Sequence, residues 1–193
     1  MNYLISQLRT SLVATIVLAM ILCGLYPALV WSVAQALFPE KANGSLIVQN
    51  GRAIGSKLIG QNFTDAKYFH PRPSAAGDVG YDATSSGGSN LGPTSKKLID
   101  SIKERVEAYR TENNLPLNVQ APADAVTASA SGLDPHISVR NALLQAPRVA
   151  KARGIKEKVV VEKIEANTQG RDFYIFGEPR VNVLALNLSL DGR

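Results

Sequence analysis

No side chain between Thr10 and Pro39 carries a charge, and the most apolar part of that run, Leu12 to Ala34, is 23 residues long. At about 1.5 Å rise per residue a helix of this length covers roughly 34 Å, enough to cross a hydrocarbon core about 30 Å thick. The pattern predicts a transmembrane helix over 12–34, with residues 1–11 as a short N-terminal tail. A cleaved signal peptide is the competing reading, because Ala34-Gln35-Ala36 imitates a small-x-small cleavage site. Signal h-regions run only about 7 to 15 apolar residues, which favours a retained anchor. Pro27 lies inside the run, and membrane helices tolerate proline better than soluble ones.

From about residue 40 the pattern shortens and alternates. Leu46 to Ile54 reads as a β-hairpin turning on Asn50-Gly51. Residues 55–93 are dense in Gly, Ser, Pro, Asn and Asp. The aromatic side chains among them argue for an ordered irregular segment rather than disorder. Thr94 is the expected cap of a helix to Asn113, with Leu98, Ile102, Val106 and Tyr109 on one face. Residues 116–125 read as a surface loop. Asp134-Pro135 carries the signature of a helix start, an acceptor side chain followed by proline at the first helical position. That helix would carry Ile137, Val139, Leu143 and Leu144, restart at Pro147 and stop at Gly154. Another is expected over 156–167, ending at Gly170. The last apolar stretch, 181–190, fits a strand by alternation and a helix by its position after Pro179. The fold class is α+β: a single N-terminal transmembrane helix followed by a small mixed α/β soluble domain, residues 40–193.

Beyond residue 39 lie all 16 acidic and 20 of the 21 basic residues, a net of +4. That balance suits a domain beside an anionic membrane surface and gives no argument for nucleic acid. Cys23 is the only cysteine, inside the apolar run, so no intrachain disulfide forms. Within the same run Gly24, Ala28, Ser32 and Ala36 recur every four residues. Such a ridge of small side chains lets membrane helices approach closely, and it marks these four as candidate helix-packing residues.

Apparent chemistry elsewhere is thin. Ser129 to Ser138, SASGLDPHIS, puts serines, an aspartate and a histidine together. No G-x-S-x-G elbow frames either leading serine, and Asp134 is already assigned to the helix cap. With two histidines and no H-E-x-x-H spacing, no metal site is expected. No residue is assigned to catalysis. Ser86-Gly87-Gly88-Ser89-Asn90 opens a glycine-rich run leading to a helix, the arrangement that can hold a phosphate on backbone N–H groups. Gly87 to Thr94 matches G-x-x-x-x-G-x-T, but Pro93 stands where a phosphate-binding lysine belongs. Ser86, Gly87, Gly88, Ser89 and Asn90 are therefore candidates for nucleotide contact or for docking on a partner. Val79-Gly80-Tyr81 copies part of a potassium-filter loop, yet a filter needs four such loops between membrane helices. Arg148, Lys151, Arg153, Lys156 and Lys158 form a basic cluster, read as a solvated helix face or a surface for an acidic partner.

Several blocks together carry a resemblance: GSKLIGQNF at 55–63, YFHPRPS at 68–74, SGGSNLGPT at 86–94, SASGLDPHIS at 129–138, Arg148-Val149-Ala150 and Val181 to Leu184. In this order, behind one N-terminal span, they resemble the C subunit of the Kdp potassium-transporting ATPase. The resemblance implies a non-catalytic accessory subunit of a high-affinity potassium uptake pump, needed for assembly. It implies a catalytic chaperone that raises the ATP affinity of another subunit, with no cofactor of its own and ATP available through the complex. The implied partners are a potassium-channel-like A subunit, the ATP-hydrolysing B subunit, a small F subunit and membrane lipids. The implied location is the bacterial inner membrane, single-pass, with the soluble domain outside the cytoplasm. A membrane-tethered periplasmic hydrolase and a secreted binding protein are the rival classes.

Overall fold

The computed structural model describes residues 2–192, which fall into two compact units divided between Leu46 and Ile47. In the first, α1 (Asn2–Ala19), a π-helical turn (Met20–Leu25) and α2 (Tyr26–Leu37) follow without a break. Tyr3–Leu37 is long and apolar enough to cross a membrane, and none of its most apolar window is buried. Helical structure thus begins well ahead of Leu12 and takes in residues 2–11 of the expected tail, Met1 lying outside the described residues. Pro27 does not divide it. The π turn ends just before Pro27, whose missing N–H and crowding ring disturb the α-helical ladder. Beyond Leu37 the chain turns through Pro39–Ala42 (α3), and the amides of Gln35 and Asn43 exchange hydrogen bonds of 3.2 and 3.1 Å.

The expected hairpin follows, β1 (Leu46–Gln49) and β2 (Arg52–Ser56). Its two turn residues have φ of +51° at Asn50 and +75° at Gly51, the left-handed pair that suits strand twist. Residues 57–95 then run as ordered irregular chain to α4 (Lys96–Glu112). Ser95, rather than Thr94, occupies the cap position. A one-turn helix, α5 (Ala123–Val126), lies within the segment expected as loop.

Around Asp134 the structure differs from the sequence reading. His136–Ser138 is a strand, β3, and the helix begins only at Val139 (α6, Val139–Arg153). Its cap is Ser138, whose Oγ accepts from Asn141 N–H at 3.1 Å. The cause is tertiary. β3 pairs antiparallel with β5 (Arg180–Asn182), Ile137 opposite Val181, and β5 also takes β4 (Thr168–Gln169) on its other edge. Ladder bonds to a strand more than forty positions away hold 136–138 extended. Pro147 does not restart the helix but sits within continuous α6. Gly154 ends it as expected, with φ +66°.

The buried face of α6 is Ala142, Ala146, Val149 and Ala150, while Leu143 is exposed. Small side chains on this face let α7 (Glu157–Ala166) pack closely through Val160 and Ile164. The closing stretch is helical after its first two residues: α8 (Val183–Leu190), capped by Asn182, which accepts from Ala185 N–H at 3.0 Å. Phe69, Ile137, Val181, Val183 and Leu186 complete the core. Full burial of Phe69 contributes roughly 2–3 kcal/mol.

Candidate functional site

The two loops that the sequence offered separately lie against each other. Gly87 N–H and the Ser86 hydroxyl both donate to Ser131 C=O, at 2.9 and 3.0 Å. Ser74 Oγ donates to Gly132 C=O at 2.6 Å and accepts from Tyr81 N–H at 2.8 Å, and Gly60 N–H donates to Leu133 C=O at 2.9 Å. Gly132 has φ +68°, and a Cβ there would stand 2.6 Å from Gly87 O and 2.7 Å from Ala76 N. Two backbones touch at that point, so only glycine fits. Ser89 and Asn90 stay exposed at the rim, while Gly88 lies against the Ala130 backbone. One phosphate-type donor expected of this loop, the Gly87 N–H, is therefore engaged inside the fold.

Arg72 ties this patch to the sheet. Its Nη1 lies 2.8 Å from Asp134 Oδ2, and the other carboxylate oxygen accepts from His136 N–H at 3.0 Å. Burial opposes the Asp134 charge, but the His136 bonds and Arg72 outweigh it and lower the carboxyl from 3.8 to about 2. Asp134 thus braces an extended turn and orients Arg72 instead of capping a helix. His136 Nδ1 stands 3.5 Å from Asp134 Oδ1. Among the described residues no serine hydroxyl bonds the His136 ring. Ser131 Oγ instead accepts from Leu133 N–H at 3.1 Å.

Beside Arg72 lies a cavity of about 310 Å³, lined in part by His70, Tyr81, Arg105, Tyr109 and Glu112. His70 Nδ1 meets Glu112 Oε1 at 2.7 Å, and this bond lowers the Glu112 carboxyl. Burial pushes the Tyr81 phenol up, and its hydroxyl donates to Arg72 C=O at 2.7 Å.

The basic cluster divides. Arg148 donates to Ala66 C=O, Tyr68 C=O, Asn113 Oδ1 and Gln145 Oε1 at 2.6–3.0 Å. Arg153 reaches Lys67 C=O, Leu190 C=O and Asp191, and lies over the Tyr68 ring. These two arginines hold the 66–68 loop, whereas Lys151, Lys156 and Lys158 are exposed. Of the small-residue ridge, Ala28, Ser32 and Ala36 lie in α2 and Gly24 in the π turn, so α-helical register holds from Ala28 onward. The Ser32 hydroxyl donates to Ala28 C=O at 2.7 Å.

One exposed feature went unread in the sequence. Between β4 and β5, Phe173, Tyr174, Ile175 and Phe176 are 85%, 96%, 71% and 65% exposed. Four consecutive large apolar residues between Gly170 and Gly177 were the available signal.

Comparison with known proteins follows the same span. A family profile described as "K+-transporting ATPase, c chain" matches residues 8–192. A protein of Nitratidesulfovibrio vulgaris named potassium-transporting ATPase KdpC subunit is 55% identical over 191 residues, covering 97% of this chain and 95% of that protein. One of the same name from Mycobacterium tuberculosis is 56% identical over 185 residues, covering 96% and 97%. A third, from Koribacter versatilis, is 51% identical over 187 residues, covering 96% and 94%. With helix and folded unit both inside the match, the chain belongs to the family of the c chain of K+-transporting ATPases.

Proposed function

We propose that the chain is the non-catalytic accessory subunit of an ATP-driven potassium uptake pump. In this reading its helix is held in the bacterial inner membrane and its second unit is a docking body outside the cytoplasm. The observation that carries the reading is the fate of the reactive-looking groups. Asp134 is tied to Arg72, Ser131 and Gly87 to each other's loops, and Arg148 to four internal acceptors. Such groups build a rigid surface.

The rim of that surface, Ser89 and Asn90 above Ser86 to Gly88, docks on the channel-like A subunit or the ATP-hydrolysing B subunit and promotes assembly with them and the small F subunit. Residues 12–34 cross the lipid, and the face bearing Gly24, Ala28, Ser32 and Ala36 packs on a neighbouring span. The chaperone effect on ATP affinity follows from docking: ATP is bound by the partner, and the 86–90 loop acts by contact with that partner rather than as a phosphate cradle of its own.

The test removes Ser89 and Asn90 from the full chain, co-expressed with its complex. Reduced recovery of the complex in mild detergent, or weaker apparent potassium affinity, is the expected result. Unchanged assembly and transport would overturn the docking role. Changing Ser131 and His136 to alanine separates the hydrolase rival, since the accessory reading expects no lost bond-breaking activity.

A further inference from the structure

The 170–179 connection is a hairpin tip built to hold apolar side chains away from the fold. Asp172 and Phe176 exchange backbone hydrogen bonds of 2.9 Å in both directions. Arg171 forms a two-oxygen pair with Glu178 at 2.9 and 2.8 Å, and Arg180 meets Asp172 at 3.2 Å. Above this stem Phe173 and Tyr174 sit at φ +53° and +63°, a region that bulky residues seldom occupy. An unfavourable backbone carrying four exposed apolar side chains points to a use outside the fold.

We propose that this tip is a lipid anchor. Phe173, Tyr174, Ile175 and Phe176 enter the boundary between headgroups and acyl chains of the bilayer that holds the chain's own helix. The inference rests on the membrane-anchor reading above. Three features select lipid over a protein pocket. The apolar residues are contiguous and form the end of a hairpin. Their chemistry, two phenyl rings and a phenol on an arginine-bearing stem, is that of interfacial residues. The stem arginines are paired with carboxylates, so insertion of the tip exposes no lone charge to lipid. The chain also supplies the bilayer. Residues 38–46 tether the second unit to the helix within one chain.

The test uses the full chain in nanodiscs of phosphatidylethanolamine and phosphatidylglycerol, prepared with and without brominated acyl chains. Trp31 is the only tryptophan and lies in the helix, so its quenching in the unaltered chain reports the anchor. A Trp31→Phe, Tyr174→Trp variant reports the tip. The expected result is a loss of emission of about twofold for position 174 in brominated bilayers, as for a ring at the acyl boundary. With Trp31 quenched, an unquenched position 174 overturns the proposal, whether its emission is that of water or of a ring shielded by protein. An unquenched Trp31 removes the anchor itself, and the proposal with it.

Discussion

The side-chain amide of Asn187 brackets the backbone of Phe69, accepting from its N–H at 2.8 Å and donating to its C=O at 3.0 Å. Gln145 repeats the device one residue on, accepting from His70 N–H at 2.8 Å and donating to His70 C=O at 3.1 Å. Two helices thus pair with an irregular segment through side chains, supplying the bonds that a neighbouring strand would otherwise give. This lets Phe69 be fully buried on a stretch with no secondary structure of its own. Asn187→Leu leaves both Phe69 backbone groups without their partners, and we expect a stability loss of about 2–4 kcal/mol. Urea denaturation of the full chain in detergent measures it. A loss below the error of that measurement would contradict a stabilising role for the bracket.

Asp134 predicts an acid limit. Its folded-state value, about 2, lies below the ordinary 3.8. The stabilisation is therefore complete above pH 4 or so and is lost as pH falls through the folded value. The lowering corresponds to about 2 kcal/mol. Asp134→Asn should flatten this part of the stability–pH curve between pH about 4 and 2. An unchanged slope would show that the bonds from His136 and Arg72 contribute nothing.

Glycine substitutions separate two kinds of left-handed site. Gly154 has φ +66° and nothing within 4 Å of the place a Cβ would take, so Gly154→Ala should cost only about 1 kcal/mol. Gly132 has nearly the same φ but is wedged between Gly87 and Ala76, so Gly132→Ala should cost more, about 3 kcal/mol or beyond. Equal thermal shifts for the two variants would contradict the close approach of the loops.

The basic residues of α6 should likewise part company. Arg148→Lys loses a planar fork that serves four acceptors, with an expected loss of about 2–3 kcal/mol. Lys151→Ala, on the exposed side, should stay within about 0.5 kcal/mol of the parent. Parallel melts of the two variants decide it.

The regularities carried by near neighbours were legible before any fold was known. The apolar run shows as helix, Asn50-Gly51 as a turn, Lys96–Glu112 by its apolar face and Gly154 as a helix stop. Each rests on spacing or on one residue's backbone preference, which act within a turn or two of chain. The 86–90 and 129–138 blocks were also visible, though not that Ser86 and Gly87 bond Ser131. Only tertiary structure decided that Asp134 braces Arg72, that 136–138 is a strand, that 183–190 is a helix and that Arg148 is internal. Three-residue strands have too little periodicity to announce themselves. A polar side chain's role depends on which partner distant chain brings within about 3 Å, information that local sequence does not contain.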